Sequence, residues 1–465
     1  MSFADWLTYG ADYNDIVCFG VTEKGKIAAL LSGYSGGEHR AELLLLTEAN
    51  IESADRAEAS AGQENGQEET PDAAAQTLTL AAFNLDVMMQ GYIADYNKSH
   101  PECTIEVVDY GEGDAGAGMT RLNADIVAGN VPDIIELSNV DVGLYAALGI
   151  LTDLSPYLEA EEEFKREDLI DSALSMHMAD GKLYGIPAGV MAETLMAYSE
   201  ETVGREEWTT EEFQAALARL PEGAEMIDNL SALGMLRIQL SMNMDQYIDY
   251  KTGTCSFDGE SFRELLEFSM TLGEGTISDV PEEERLADGS LLLHRSYLDG
   301  VSAFVSEAGL FHGESIQCVG YPSADGGHSY LTPYGTMGIT EACEDKAAAW
   351  DFVRSLLTEE FQKEYMHFQI PTLRSVIEEE LDEAQEMEKN MRESDPSYIP
   401  VLSEENTEAF WEMINTGKTT NSFNRDVWNM IQEEAEGYFA GTRSLDEVVD
   451  LIQNRTEIYV SENWG

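Results

Sequence analysis

The chain has 465 residues, 43% of them hydrophobic, enough for two or three domains each with its own core. Against 26 lysines and arginines stand 89 aspartates and glutamates, a formal net charge of −63. That field repels phosphate backbones and anionic lipid surfaces, which sets aside nucleic acid and membrane adhesion as functions.

The start, MSFADWLTYGADYND, has neither a basic segment nor a continuous apolar run, so it does not read as an export signal. Residues 16–32 predict a hairpin: IVCFGV, a turn through Lys24 and Gly25, then KIAALLS. ELLLL at 42–46 adds a third strand. Three strands are too few to cover both faces of a sheet. Residues 1–50 therefore read as a fragment of a larger β domain, with an upstream region expected to hold the rest and an export signal. Residues 51–76 are acidic, rich in Ala, Gly and Gln, and hold no aromatic residue, which is the composition of a disordered linker.

Order resumes at Thr77. TLTLAAF predicts a strand, and Leu85, Met88, Met89, Tyr92, Ile93 and Tyr96 recur at helical spacing behind it. TIEVVDY (104–110) is the next strand, a helix runs from there to about Ala128, and VPDIIEL (131–137) is a third strand. This alternation predicts a parallel sheet with right-handed crossovers. DGKLYGIPAGVMAETLMAY (180–198) then packs a turn at Asp180 and Gly181, a short strand at Leu183 and Tyr184, a break, and a resumed apolar run. In the break, Pro187 fixes φ and lacks an N–H, while Gly185 and Gly189 open backbone angles closed to other residues. A strand interrupted and resumed in this way marks a passage between lobes.

Beyond that passage a mostly helical stretch is expected, with Thr209 and Glu212 forming a capping box ahead of Phe213 and Leu217. In the last third, Trp350, Val353, Leu357 and Phe361 form one stripe. Ser444 with Glu447 caps a closing helix that carries Leu445, Val448, Ile452 and Tyr459. Both stripes read as core.

Motifs for catalysis or metal binding are sparse. GEGDAG (111–116) fits the glycine spacing of a dinucleotide fingerprint, comes after a predicted strand and has Glu136 twenty residues later. However, Glu112 and Asp114 would stand where a pyrophosphate must approach backbone N–H groups. GYSGG (33–37) fits a nucleophile elbow, but no helical pattern opens behind it. Cys18, Cys103, Cys255, Cys318 and Cys343 are dispersed, with no CxxC and no histidine at ligand spacing, which argues against structural zinc and a disulfide framework. Neither cofactor nor metal is expected. Paired carboxylates carry no information in a chain with 89 acids. A glycosidase or nucleotide-dependent α/β enzyme is the alternative class.

Four segments, taken in order, resemble the extracellular solute-binding proteins of ABC importers, of the family 1 carbohydrate type that includes maltose-binding protein. PDIIELSNVDVGLYAALGILTDLSPYL (132–158) looks like the family's third strand with the loop and helix after it, and 180–198 like the first crossing between lobes. GTMGITEACEDKAAAWDFVRSLLTEEFQ (335–362) resembles the return crossing, and GYFAGTRSLDEVVDLIQNRTEIYVSE (437–462) the closing helices. The resemblance implies an α/β, two-lobed periplasmic-binding fold. One lobe would span about 77–186 with part of 335–400, the other about 190–330, with closing helices in 401–465. It also implies a monomeric, non-catalytic component outside the cytoplasm, periplasmic or held at the cell surface as a lipoprotein, that closes on its ligand and presents it to a membrane permease. The hinge would lie at Gly185, Pro187, Gly189 and Gly335.

Ligands of open α/β sheets sit beyond the carboxyl ends of the strands. That places Asn84, Asp86, Tyr110, Asp114, Ser138 and Asn139 at the mouth of the first lobe, with Glu193 and Tyr334 contributed by the two crossings. Trp411, in EAFWEM, matches the family's sugar-stacking tryptophan in local context, though at helical spacing it also reads as helix core. Departures accompany these matches. Where the maltose-binding type has an aromatic and a charged pair after the third strand, this chain has Leu137, Val140 and Asp141. The acid after the hinge proline is displaced by two positions, to Glu193. The pocket is rewritten, and maltose is not implied.

Neutral sugars need hydrogen-bond acceptors for hydroxyls and an aromatic face for their C–H patches. This composition supplies both and is poor in bases, so the expected ligand is a neutral oligosaccharide held at about micromolar affinity, on the order of −8 kcal/mol. A cationic polyamine is the alternative within the class. Residues 1–76 cannot shape such a cleft, and a chain beginning near Gln76 is expected to bind with unchanged affinity. A tenfold loss in isothermal titration, about 1.4 kcal/mol, would instead mean that the β segment docks on the lobes.

Overall fold

The computed structural model describes residues 15–21, 27–35, 38–46, 76–111, 115–199, 208–249, 252–275, 277–323, 326–419 and 424–464. Two compact units divide the chain between Ala75 and Gln76. The N-terminal unit holds an antiparallel sheet of three strands in chain order: β1 (Asp15–Val21), β2 (Ile27–Ser35) and β3 (Glu38–Leu46). The linker expected at 51–76 lies outside the described residues except for Gln76, which opens a strand.

The second unit begins with alternating strand and helix. β4 (Gln76–Ala82) leads into helix α1 (Val87–Ser99), β5 (Cys103–Asp109), helix α2 (Ala115–Ala128) and β6 (Ile134–Glu136). β4 pairs in parallel with both β5 and β6, with Leu80 facing Val107 on one side and Ile134 on the other. α1 buries Met89, Ile93 and Tyr96, one stripe at helical spacing, against this sheet. The second crossing later returns a strand antiparallel to β6, which completes the first lobe's sheet of four.

The first crossing passes through Ile186 into β7 (Gly189–Tyr198), the longest strand of the second lobe's sheet. Around β7 gather β8 (Glu225–Ile227), β9 (Leu291–Leu298), β10 (Ile316–Cys318) and β11 (Tyr330–Tyr334); β12 (Met337–Ile339) is the strand returned to the first lobe, and β13 (Ile370–Pro371) pairs with the start of β7. The stretch after residue 198 holds more helix than strand, as expected, but it also supplies strands of this sheet that the sequence reading does not find. Its strands are short or buried on both faces, so they lack the long alternation by which a strand is recognised. Helices α3 (Thr210–Leu217), α4 (Ala232–Asn243) and α5 (Glu260–Met270) cover one face of this sheet. The capping box that opens α3 is formed as Thr209 and Glu212 require. Against the other face pack α6 (Val301–Ala308) and later helices.

The stripe Trp350–Phe361 is shared by two helices, α7 (Lys346–Ser355) and α8 (Glu359–Tyr365). Thr358 caps the second, accepting from the N–H of Phe361 at 3.3 Å, and the chain turns there instead of continuing. A third crossing at 370–373 delivers α9 (Arg374–Ser394), whose Ile377 and Leu381 belong to the second lobe's core. α10 (Glu404–Thr416), α11 (Arg425–Phe439) and α12 (Leu445–Trp464) close the chain. No helix among the described residues is long and apolar enough to cross a membrane. Cys103, Cys255, Cys318 and Cys343 are free thiols.

Candidate functional site

Two polar surfaces flank the crossings. On the first lobe, β4, β5 and β6 run in parallel, so their carboxyl ends share one rim. Asn84 lies just past β4 with φ +57°, a left-handed conformation that asparagine tolerates better than most residues. Its N–H donates to Asp109 Oδ1 at 3.1 Å and its side chain to the Gly111 carbonyl at 3.0 Å, which ties the loop after β4 to the loop after β5. Asp86 caps α1: its Oδ1 accepts from the N–H of Met89 at 2.9 Å. Its other oxygen accepts from the Tyr334 hydroxyl at the end of β11, so one carboxylate fixes a first-lobe helix and a second-lobe strand together.

After β6, Ser138 and Asn139 are exposed. The Ser138 N–H and hydroxyl both donate to Glu136 Oε1, at 3.0 and 2.5 Å. Glu136 itself is only 4% exposed, and its Oε2 has no hydrogen-bond partner among the described residues. Burial raises its pKa, against the two bonds from Ser138. The Tyr334 phenol is raised too, by burial first and then by Asp86 and Glu136. Two sequence candidates do not join this rim. Tyr110 is buried, and its hydroxyl donates to Asp125 on α2 at 2.9 Å, so it serves the core. Asp114 lies outside the described residues.

On the second lobe the central feature is a row across three strands. Glu193 on β7 stands directly opposite Tyr297 on β9 and Tyr330 on β11. Directly opposed residues of neighbouring strands share a face, so the carboxylate is flanked by two phenol rings. Next along this face, Leu195 and Ala197 are covered by Phe213 of α3 and by Met235 and Ile238 of α4; the Glu193 row lies beyond that cover, toward the crossings. Tyr297 is 50% exposed, and its hydroxyl contacts Met191 Sδ at 2.7 Å. The Glu193 carboxylate is half-buried, with no hydrogen bond among the described residues. Sequence reading misses Tyr297, Tyr330 and Glu136 as site residues. Tyr297 nearly ends LLLHRSYL, whose leucine run masks its strand character, and Tyr330 alternates with Tyr334 in YLTPY.

Trp411 is not in the row. It packs against the cluster that contains Val190, Ala192 and Met196, which point to the opposite face of β7 from Glu193. The Arg374 guanidinium lies 5.5 Å from its ring centre, and Arg374 in turn donates to Asn415 and to the Leu169 carbonyl. Local context matches the residue type without fixing which side of the sheet α10 lies on.

Three chain segments join the lobes. Ile186 and Met337 bridge the first two, and the Ala188 N–H donates to the Tyr334 carbonyl at 3.0 Å. In the third, the Thr372 N–H and hydroxyl donate to the carbonyls of Ala188 and Pro187, at 3.1 and 2.8 Å. Gln362, 1% exposed on α8, donates to the Ala188 carbonyl at 2.9 Å and accepts from the Leu373 N–H at 2.8 Å. Gly185, Pro187 and Gly189 are buried in the first crossing. Gly189 abuts the third, where a Cβ would sit 2.9 Å from the Ile370 carbonyl oxygen. Gly335 in the second has φ +59°, a conformation that favours glycine.

Among the described residues no group of histidine, cysteine and acidic side chains is arranged to hold a metal ion. The chemistry available is that of carboxylates, phenols, amides and hydroxyls gathered at the strand ends and on the strand faces near the crossings. Residues 91–391 match the family model of the bacterial extracellular solute-binding proteins. The sugar-binding protein MalE of Xanthomonas citri superposes with a TM-score of 0.53 at 19% identity, over 83% of this chain and 98% of that one. A family 1 extracellular solute-binding protein of Alicyclobacillus acidocaldarius gives 0.52 at 14% identity, over 85% and 100%. At these identities the likeness is one of fold.

Proposed function

The chain belongs to the bacterial extracellular solute-binding proteins, and we propose that within this family it captures an oligosaccharide between its two lobes and delivers it to the permease of an ABC importer. It does so outside the cytoplasm, as a monomer and without chemical turnover. The observation that carries the carbohydrate reading is the row Tyr297–Glu193–Tyr330. A half-buried carboxylate accepts ring hydroxyls, and flanking phenols offer apolar faces to the C–H patches of largely neutral sugar rings. On the first lobe Asn84, Asp86, Ser138 and Asn139 supply further donors and acceptors, and Tyr334 adds its hydroxyl at the far end of β11. The similarity in fold to a sugar-binding protein of Xanthomonas supports the same class.

Closure is a two-state equilibrium that ligand biases only through contacts made by both lobes. Gly335 and the first crossing provide its pivots, and the tie between Asp86 and Tyr334 lies beside them. The test is a thermal-shift screen over neutral sugars, polyamines and peptides, then titration calorimetry. Glu193→Gln is expected to weaken saccharide binding about tenfold, ~1.4 kcal/mol, and to leave the melting temperature unchanged. Polyamine binding without saccharide binding would replace this reading by its cationic alternative. Release of chromophore from aryl glycosides would make the protein an enzyme.

A further inference from the structure

The acid-rich composition favours a ligand without negative charge, yet two arginines stand at the edge of the Glu193 row. Arg295 lies on β9 two residues before Tyr297 and opposite Leu195, so it projects from the same face of the sheet. Arg237 comes from α4, with its guanidinium 6.0 Å from the centre of the Trp428 ring. Both are exposed, and neither has an ion pair among the described residues. Other arginines of the chain are neutralised by acids: Arg285 meets Glu225 and Asp228, Arg354 meets Glu161, Glu163 and Asp351, and Arg455 meets Glu433 and Glu434.

Tyr321, 6% exposed, completes the group. It belongs to the core cluster of Leu195, Met235 and Ile238, so it packs against the strand position opposite Arg295 and against the helix that carries Arg237, and the charges of Glu193, Arg295 and Arg237 all reach its phenol. Burial, and then Glu193, push that phenol up to about 12 against the two arginines, which keeps its proton in place as a donor. The edge thus offers two guanidinium forks and a hydroxyl donor beside one carboxylate acceptor. A guanidinium stacked on an indole keeps its N–H edge free, and that edge matches the two oxygens of a carboxylate.

We propose that Arg237, Arg295 and Tyr321 form a carboxylate subsite, so that one unit of the bound oligosaccharide is a uronic acid. This rests on the carbohydrate reading above and refines its ligand from wholly neutral to partly acidic. The carboxylate lies between the two guanidiniums, ring hydroxyls donate to Glu193, and the ring rests on Tyr297. A carboxylate is favoured over a phosphate because its single charge is repelled less by the adjacent Glu193. The net charge of −63 does not forbid this. At physiological salt the screening length is about 8 Å, so the nearest guanidiniums outweigh distant acids.

The test uses titration calorimetry on the full chain with disaccharides containing glucuronate, galacturonate or mannuronate. Their neutral counterparts of the same linkage and a set of sugar phosphates form the comparison arms. At least one uronate is expected to bind tenfold or more tighter than its neutral partner. Arg237→Gln and Arg295→Gln should each remove that preference while leaving neutral-sugar affinity within twofold. Arg219→Gln, an exposed change of the same charge on α3's C-terminal side, should not alter it. Raising salt from low to moderate should weaken only the uronate. Neutral sugars bound with no acidic preference, or a preference that survives both substitutions, would discard the subsite and leave the carbohydrate reading standing. Tighter binding of sugar phosphates than of uronates would overturn the carboxylate assignment. Absence of binding by any saccharide would overturn both.

Discussion

Replacing Trp411 by alanine is expected to lower the melting temperature while leaving the ligand affinity of the folded protein within twofold. The indole is partly buried on the core cluster beneath the second lobe's sheet, edge-on to the fully buried Phe410 at 6.3 Å between ring centres. It also carries the Arg374 guanidinium, which in turn is bonded to the carbonyl of Leu169 and to Asn415. Truncation removes the packing of a large aromatic and the platform of a cation, and tryptophan-to-alanine changes in cores cost roughly 3–5 kcal/mol. The lower end of that range applies because the ring is only partly buried. Chemical denaturation and calorimetry on the same variant separate the possibilities. A normal melting temperature combined with a tenfold loss of affinity would return Trp411 to the site and refute its placement on the far face.

Trp411 also shows where sequence reading stops. The first lobe is legible because its strands and α1 each carry the periodicity of their own geometry: Leu78 and Leu80 alternate, and Met89, Ile93 and Tyr96 recur at helical spacing. The first crossing is legible because proline and glycine constrain the backbone wherever they occur. A site is different, since it depends on which residues distant in sequence are brought opposite one another. Tyr297 and Tyr330 flank Glu193 only through the pairing of β7 with β9 and β11, and nothing in LLLHRSYL or YLTPY encodes that partner. The second lobe's short strands fall below the length at which alternation is informative. In the sequence, Glu136 stands out only as the acid of a false nucleotide fingerprint. Its importance comes from burial at a strand end beside Tyr334, a property of the fold and not of the motif.

The largest pH effect on stability is expected on the alkaline side, from His294. This residue of β9 is 7% exposed and is held between two carboxylates. Nδ1 meets Glu282 at 2.9 Å and Nε2 meets Glu307 at 2.5 Å. Burial alone would lower its pKa, but hydrogen bonds and charge from Glu282 and Glu307 outweigh it and raise the value from 6.5 to about 9. A histidine raised on folding contributes its full stabilisation below the unfolded value of 6.5 and loses it as pH climbs through about 9. The difference corresponds to on the order of 3 kcal/mol, reduced by the partial exposure of the two glutamates. His177 acts at the other end: burial lowers it to about 4, so its contribution is present above 6.5 and is lost as pH falls toward 4. Their combined contribution is greatest near pH 6.5 and declines on both sides. Urea unfolding from pH 6 to pH 10 should therefore show stability falling above pH 7. His294→Gln should flatten that fall and lower stability at pH 7 by about 3 kcal/mol, because it leaves two half-buried carboxylates without their cation. Parallel pH profiles for the two proteins would mean that His294 is neutral in the folded state and that the clamp contributes no charge pairing.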